Sequence, residues 1–233
     1  MKTILLKFAG PLQSWGTDSK FETRHTDRFP SKSGVIGILS AAFGFKRDDD
    51  ANIQKFNQLD YAVRIDQEGE LLKDYHIAQK HNKKGAFDRS YVTNRYYLQD
   101  AVFTVALGHE DEEWMASIEK ALRYPYFQPF LGRRSNPLTA DFFIANNDSD
   151  VMTNIENLKW QASPWYKRKY KVDKLTIYAD ANLIEHGSIS MVRDRVLSFS
   201  QRERKHGFRP IRRKCVPVID DIAVEDHNAF DSF

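Results

Sequence analysis

Three segments of the sequence combine residue types that could bind phosphate or stack on nucleic-acid bases. The first is PSKSGVIG, residues 30–37, in which Ser31, Lys32 and Ser33 precede an apolar helical pattern containing two glycines. Exposed amide groups at a helix start, with a cation beside them, bind phosphate. The spacing of a P-loop is absent. The segment therefore predicts either a phosphate contact or close helix packing through small residues.

The second segment is FLGRRSNP, residues 130–137, where Arg133 and Arg134 follow a glycine turn. A guanidinium group can bind phosphate through two parallel N–H groups or stack on a base. The alternative interpretation is a surface turn whose arginines are solvated.

The third segment, residues 191–214, interleaves basic residues with Phe199 and Phe208. From Arg193 to Lys214 nine Lys or Arg stand against two acids, a net charge of +7. Residues 166–174 add five bases and one acid, so the rest of the chain, at a total of +3, carries −8. Such concentrated charge, interleaved with aromatic residues, favours a polyanionic partner such as a nucleic acid. The alternative is an edge strand protected by charge.

Composition limits the class of protein. The 233 residues are 41% hydrophobic and 13% aromatic, enough to bury the core of one large domain or of two small ones. No apolar run approaches the roughly 18 residues of a membrane span. The single cysteine, Cys215, excludes an internal disulfide and an all-cysteine metal site. We expect a cytoplasmic protein without membrane contact.

The seven histidines show no spacing typical of metal ligands, so we expect no metal site and no cofactor. His25 or His76, together with Tyr75 and Lys32, could supply the base, acid and cation of a metal-independent ribonuclease. Nothing in their spacing requires this activity. The nucleophile, zinc-protease and dinucleotide motifs are absent.

The elements that would position these residues follow from apolar periodicity and from Gly/Pro punctuation. Ser31 or Ser33 is the expected N-cap of the first helix, and Gly44 its end. The predicted elements are a strand at 3–8, a helix from 33 to 44, a short helix near 53–59, a strand at 61–65, a long strand at 97–107, a helix at 112–122 and a strand after Pro129. This order is that of a ferredoxin-like fold, common among RNA-binding modules.

Residues 74–94 are polar, dotted with tyrosines and without a core pattern, which predicts a functional loop or a protruding hairpin. Two further strands, at 175–178 and 188–192, would form a smaller C-terminal portion beyond a seam at 146–150. The predicted organisation is an α+β fold with a palm (1–73 and 95–145), a thumb insertion (74–94) and a C-terminal β-rich portion (146–233) packed on the palm.

Several long stretches of the chain closely resemble the CasD family, the type I-E CRISPR Cascade subunit that holds the 5′ end of the guide RNA. These stretches are FAGPLQSWG, FETRHTDRFPSKSGVIGILSAAFG, KDYH, NRYYLQDAVFTVAL and PYFQPFLGRRSNPLT, between residues 4 and about 140. The resemblance is looser in VRDRVLSFSQRERKHGFR. Asn136 stands where the family commonly has a cysteine.

The resemblance implies a ferredoxin-like, RRM-type RAMP palm that binds the crRNA 5′ handle, and a β-hairpin thumb that engages the end of the guide-carrying backbone. It implies a non-catalytic subunit with the crRNA handle, the Cascade backbone subunit and the large subunit as partners, and with target DNA met only through the complex. The alternative is a metal-independent endoribonuclease that processes precursor crRNA.

A tight turn after the first strand predicts that Gln13 and Trp15 lie at the surface beside the handle, and the alternative is that Trp15 is a core lid. Arg95 is expected to bind a phosphate between handle and guide, and the alternative is an ion pair with Asp100 or Asp74. The predicted RNA-binding residues are Gln13, Trp15, Arg24, His25, Ser31, Lys32, Ser33, Arg95, Arg133, Arg134, Arg193, Arg202, Arg204 and Lys205. The predicted thumb contacts are Lys80, Lys83, Lys84 and Arg89, and no catalytic or metal-binding residue is assigned.

Overall fold

Eleven strands and five α-helices follow one another in the part of the chain that the structure describes, residues 1–17 and 22–220 of this computed structural model. The strands are β1 (Lys2–Ala9), β2 (Leu12–Gln13), β3 (Thr23–Arg24), β4 (Asp60–Gln67), β5 (Glu70–His81), β6 (Phe87–Gln99), β7 (Val102–His109), β8 (Phe143–Asn147), β9 (Lys174–Asp180), β10 (Ser190–Ser198) and β11 (Lys205–Pro217). The helices are α1 (Lys32–Phe43), α2 (Asp50–Lys55), α3 (Glu112–Arg123), α4 (Val151–Asn157) and α5 (Pro164–Lys169).

Four strands and two helices form the predicted ferredoxin-like palm. Along the chain they occur as β1-α1-β4-β7-α3-β8, and in the sheet the strands lie in the order β4-β7-β1-β8 with antiparallel neighbours. This connectivity is the split β-α-β arrangement. The α+β prediction is confirmed.

Local sequence explains where the two palm helices begin and end. The Ser31 hydroxyl accepts a hydrogen bond from the Gly34 amide, and Gly44 ends α1 with φ 77°, a left-handed conformation that glycine adopts without strain. Asp111 caps α3 in the same way. The buried residues of α3, Trp114, Met115, Ile118 and Leu122, form one face at helical spacing.

Both faces of the central sheet are covered. Ile4, Leu6 and Phe8 of β1 pack with α1 and α3 on one face, whereas Leu5 packs with α4 and Trp160 on the other. This alternation follows from the two-residue period of a strand. RNA therefore cannot lie on an open sheet face as it does in an RRM, and the edges, loops and hairpin remain available.

The predicted continuous strand from Tyr97 to Leu107 is wrong. Asp100 has φ 54°, and the chain turns there from β6 into β7. The break lets β6 leave the palm and pair with β5 in a hairpin from Glu70 to Gln99, which begins before residue 74. The protruding-hairpin interpretation of the thumb therefore fits the structure, with wider limits.

The C-terminal strands do not form a sheet of their own. β9 pairs with β4, so that the large sheet runs β10-β11-β9-β4-β7-β1-β8 across palm and C-terminal portion alike. The predicted seam at 146–150 falls at the end of β8. The last residues of the predicted C-terminal portion, 221–233, lie outside the described residues.

Candidate nucleic-acid interface

Predicted residues from β3, from β6 and from the loop of residues 130–137 lie where the β5–β6 hairpin joins the palm. β3 pairs in parallel with β6, which sets Arg24 opposite Arg95. The ring of His25 stacks on that of Tyr96, with centroids 5.3 Å apart. Because β6 is fixed by its pairing with β5, these side chains start from a rigid backbone.

The loop of residues 130–137 brings Arg133 to the same place. Gly132 has φ 82°, and a Cβ atom there would lie 1.6 Å from the Ser14 carbonyl oxygen, so this position requires glycine. The backbone of Asn136 closes the turn. Its N–H donates to the Arg133 carbonyl at 2.9 Å, and its carbonyl accepts from the Leu131 N–H at 2.7 Å.

Arg133 lies flat on β6. Its guanidinium carbon lies 4.1 Å from the centroid of the Tyr97 ring, and Nη2 donates to the Tyr96 carbonyl at 3.2 Å. Tyr96 and Tyr97 are functional candidates that the sequence did not reveal. The signal was present as an aromatic pair directly after Arg95, but nothing local showed which side chain would pack on each ring.

We call Arg24, His25, Arg95, Arg133 and Arg134 the hairpin-base cluster. In residues 1–17 and 22–220 none of its arginines forms an ion pair, and Arg95 does not pair with Asp74, its register neighbour, or with Asp100. Arg95 Nε and Arg133 Nη1 are buried, and neither has a hydrogen-bond partner among the described residues. Such donors are costly to leave unsatisfied. The cluster is therefore suited to an incoming anion.

The predicted phosphate contact of Lys32 is wrong. Its side chain is buried, and Nζ donates to the Leu59 carbonyl at 2.6 Å, to Asp180 Oδ2 at 3.0 Å and to the Asn57 carbonyl at 3.2 Å. An ammonium group has three hydrogens, and all three are used. Burial lowers the pKa of Lys32, against the opposing effect of Asp180.

The anion at the start of α1 comes from the protein itself. Asp194 Oδ2 accepts a hydrogen bond from the Lys32 amide at 2.8 Å. Arg209 donates through Nε and Nη2 to Asp194, at 2.8 and 2.7 Å, and through Nη1 to Asp180 at 2.6 Å. We call Lys32, Asp180, Asp194 and Arg209 the buried ion quartet.

Two consequences follow from the quartet. Desolvation opposes the charge of Arg209, but its hydrogen bonds and charge interactions with Asp194 and Asp180 outweigh this and hold its pKa above the usual range. Ser31 and Ser33 are also buried beside the quartet, with their hydroxyl oxygens 3.3 Å apart. Their predicted RNA contact is therefore wrong too, and their role here is to shape the start of α1.

Gln13 and Trp15 are not at the surface, contrary to the prediction. They are 0% and 2% exposed. Gln13 Nε2 donates to the carbonyls of Ala101 and Phe8, at 2.8 and 3.1 Å, and its Oε1 accepts from Trp15 Nε1 at 3.0 Å. Trp15 stacks on Phe8 and covers Gly34. The core-lid alternative describes the placement of Trp15.

The remaining predicted basic residues, Arg193, Arg202, Arg204 and Lys205, lie exposed on the β10–β11 hairpin at one edge of the large sheet. They make no hydrogen bond or ring contact with the hairpin-base cluster within the described ranges. The edge strand β10 is partly covered by α2 and the helical turn Phe56–Gln58 that follows it. Asn57 Nδ2 donates to the Val196 carbonyl at 2.8 Å, and its Oδ1 accepts from the Val196 amide at 3.1 Å. This capping fits the protected-edge alternative.

The predicted thumb residues are all exposed on the β5–β6 hairpin. Lys80 pairs with Asp88 at 2.8 Å, and Lys83 and Lys84 lie in the turn. The hairpin also exposes apolar side chains, namely Tyr75, Ile77, Phe87 and Val92.

Two of the residues named for a ribonuclease site, His76 and Lys32, are separated from Tyr75. Tyr75 and His76 are neighbours on β5 and point to opposite faces of the hairpin, and Lys32 is held in the buried ion quartet. The described residues contain no group of three or more His, Cys, Asp or Glu placed to hold a metal ion. Among the described helices, none is long and apolar enough to span a membrane.

The fold and the cluster define a ferredoxin-like protein of the RAMP type, with a cation-rich site at the base of a projecting hairpin. The chain belongs to the Cas5 family: the family profile described as "CRISPR-associated protein (Cas_Cas5)" matches residues 3–212. This finding confirms the family resemblance seen in the sequence.

Individual relatives agree with this assignment. The chain is 37% identical over 174 residues to "CRISPR system Cascade subunit CasD" of Escherichia coli (strain K12), which covers 66% of this chain and 76% of that protein. A chain of a solved structure described as "CRISPR RNA-guided surveillance complex" has a TM-score of 0.77 and 28% identity, over 93% of this chain and 90% of its own length. A structure described as "Crystal structure of Cas protein" has a TM-score of 0.63 and 29% identity, over 92% and 95%.

Proposed function

We propose that this chain is a non-catalytic RNA-binding subunit of a CRISPR Cascade surveillance complex, and that the hairpin-base cluster holds the crRNA 5′ handle. The observation that carries the proposal is the cluster itself, in which, among residues 1–17 and 22–220, four arginines lack acidic partners and two buried N–H groups lack acceptors. The complex would act in the cytoplasm, and the chain would meet target DNA only through the assembled complex.

RNA suits the cluster better than a small anion does. Phosphate groups would satisfy the unpaired guanidinium donors, and charge-assisted hydrogen bonds of this kind are strong. The stacked rings of His25 and Tyr96 add an aromatic surface on the other face of β6, since Tyr96 lies between Arg95 and Tyr97 in the strand. A single-stranded RNA offers both phosphates and unstacked bases.

The β5–β6 hairpin is proposed as the contact with the backbone subunit, so that the chain caps the guide-carrying backbone. The large subunit is proposed as a further neighbour. Tyr75, Ile77, Phe87 and Val92 offer apolar area to a protein partner, and Lys83 and Lys84 add charge at the tip.

The runner-up function, a metal-independent endoribonuclease, has less support. Its proposed cation, Lys32, has every hydrogen engaged by protein acceptors. A general base and acid must converge on one phosphate, whereas Tyr75 and His76 face opposite sides of β5.

Binding is tested by titrating the purified chain with matched and scrambled handle RNA at several salt concentrations. Arg133→Gln/Arg134→Gln should weaken matched binding and reduce the log–log salt slope by roughly 1.4, or about 0.7 for each lost contact to a single strand. Lys46→Gln/Lys120→Gln removes the same charge from exposed positions outside the cluster and should leave the slope unchanged. An equal slope in both variants contradicts the assignment.

Catalysis is tested separately by incubating repeat RNA with the chain in EDTA. We expect intact RNA. A single cut that disappears in His25→Ala or His76→Ala would establish the ribonuclease alternative instead.

A further inference from the structure

A second basic and aromatic surface lies on α5 and the residues that follow it. We call Trp165, Arg168, Lys169, Tyr170 and Lys171 the α5 patch, and all five are exposed. It belongs to the shorter positive stretch of the sequence, residues 166–174, which the proposed handle site does not use.

Hydrogen bonds from Ser163 and Lys167 hold α5 against neighbouring segments of the chain. Ser163 donates through its amide and its hydroxyl to Gln67 Oε1, at 3.1 and 2.6 Å. Lys167 Nζ donates to the Trp160 carbonyl at 2.7 Å and to Asp220 at 2.9 Å. The segment is therefore held in a fixed orientation.

Of the four basic side chains at 167–171, only Lys167 forms an ion pair among the described residues. Lys167 is half-buried and paired, whereas Arg168, Lys169 and Lys171 form no ion pair within residues 1–17 and 22–220. Three unpaired cations within four residues create a local positive potential.

Aromatic rings are interleaved with these charges. The ring centroids of Tyr166 and Tyr170 lie 4.5 Å apart, and Lys169 Nζ lies 5.1 Å from the Tyr170 centroid. Trp165 meets the Tyr166 ring edge to face, which leaves much of its indole surface open.

We propose that the α5 patch binds a nucleic-acid strand, with Arg168, Lys169 and Lys171 on its phosphates and Trp165 stacked on a base. Cations along the backbone and an open aromatic face are the two features of single-strand binding sites. A lipid surface fits less well, because the six residues of α5 are too few for an interfacial amphipathic helix.

The residue that holds Ser163 also contacts the base of the β5–β6 hairpin. Gln67, which holds Ser163, donates through Nε2 to the carbonyl of Asp100, the residue where β6 ends and β7 begins. Gln67 therefore links the residue that precedes α5 to the turn at the base of the hairpin. The proposal stands on the α5 patch alone and does not require the handle assignment.

Tryptophan fluorescence of the full-length chain tests the proposal directly. Trp165 is 45% exposed, whereas Trp15, Trp114 and Trp160 are 2%, 9% and 4% exposed. Quenching by a nucleic acid would therefore report mainly on Trp165. The probes are a 20-nucleotide RNA without handle sequence and a DNA strand of the same sequence, which distinguish the two possible sources of the strand.

We expect at least one probe to quench the fluorescence, and the quenching to disappear in Trp165→Phe. Trp165→Ala should weaken binding of that probe roughly tenfold by anisotropy. Arg168→Gln/Lys171→Gln should reduce the salt slope by roughly 1.4, whereas the charge-matched control Lys46→Gln/Lys120→Gln should not. Arg133→Gln/Arg134→Gln should leave the quenching intact, which separates this site from the handle site.

Two results would overturn the proposal. One is the absence of quenching by either strand at low salt, with folding confirmed by circular dichroism. The other is equal quenching by poly-glutamate at matched charge, which would show an acidic polypeptide site instead.

Discussion

Basic side chains in this protein differ in what their charged groups contact. Those of Lys32 and Arg209 are buried against carboxylates, and that of Arg133 lies on an aromatic ring with one N–H group unsatisfied. The first arrangement is complete without a ligand. The second leaves donors that an anion would satisfy, which is why the binding proposal rests on the hairpin-base cluster and not on the start of α1.

Arg95 gives the residue-level test of that distinction. Its Nε is buried and has no hydrogen-bond partner in the part of the chain that the structure describes. Arg95→Gln should therefore weaken handle RNA binding by about 1.5–3 kcal/mol, the range for hydrogen bonds to charged groups. Arg95→Lys keeps the charge but not the planar fork, so it should restore only part of the affinity. Titration measures both variants against the exposed control Lys46→Gln. Unchanged affinity in Arg95→Gln would refute the contact.

Asp194 should matter for stability and not for handle binding. Asp194→Asn leaves Arg209 buried with a weaker acceptor, and breaking a buried pair costs about 3–5 kcal/mol. The control is Glu203→Gln in the exposed pair with Lys205, where we expect a loss below about 1 kcal/mol. Urea unfolding measures both. A loss in Asp194→Asn no larger than in the control would contradict the role of the ion quartet.

Local sequence could identify the cation-rich segments but not the partners of each cation. Arg133 and Arg134 follow from a glycine turn, and the structure leaves them available. Lys32, at a helix start, also predicts a phosphate contact, yet its acceptors Asp180 and Asp194 lie 148 and 162 residues further along the chain. Only tertiary contacts separate the two cases.

At the level of elements, the hairpin depends on one residue that interrupts a strand pattern. The apolar alternation through residues 97–107 predicts one strand, and both of its halves are indeed strands. Asp100 tolerates the left-handed conformation better than most side chains, and the turn there frees β6 from the palm. Pattern alone could predict the strand content and the palm order, but not this change of sheet.

Shortening the hairpin tests whether it is a separate functional element. Ala78 and Tyr91 are register partners, so replacing residues 79–90 by Asn-Gly should close a short hairpin with a favoured turn. We expect a folded palm with handle affinity lowered less than tenfold, because the hairpin-base cluster is retained. Co-purification with the backbone subunit and crRNA should fail, since the exposed apolar area and the tip lysines are lost.

The control for this variant is Lys83→Gln/Lys84→Gln, which keeps the full hairpin and should still assemble in part. Normal assembly by the shortened protein would show that the hairpin is dispensable.

At the scale of the whole molecule, palm and C-terminal portion share one sheet and one set of buried charges. β9 pairs with β4 along four residues of register, and the ion quartet joins α1 to β9, β10 and β11. Sequence composition suggests a seam near 146–150 because the element pattern changes there. It could not show that β9 pairs with β4, since the paired residues lie more than a hundred positions apart in the chain.

This continuity predicts that the palm does not fold without the C-terminal strands. Ending the chain at Asp173 removes the buried Leu175, Ile177, Ile211 and Val216, each worth about 1.5–3 kcal/mol, against a typical total stability of about 5–15 kcal/mol. It also leaves Lys32 buried without Asp180 and Asp194. We expect the truncated chain to be unfolded by circular dichroism, and the full chain to show one cooperative urea transition. The shortened-hairpin protein, which also loses residues but keeps the large sheet, should retain that transition. A soluble, cooperatively folding fragment of residues 1–173 would show instead that the palm is an independent domain.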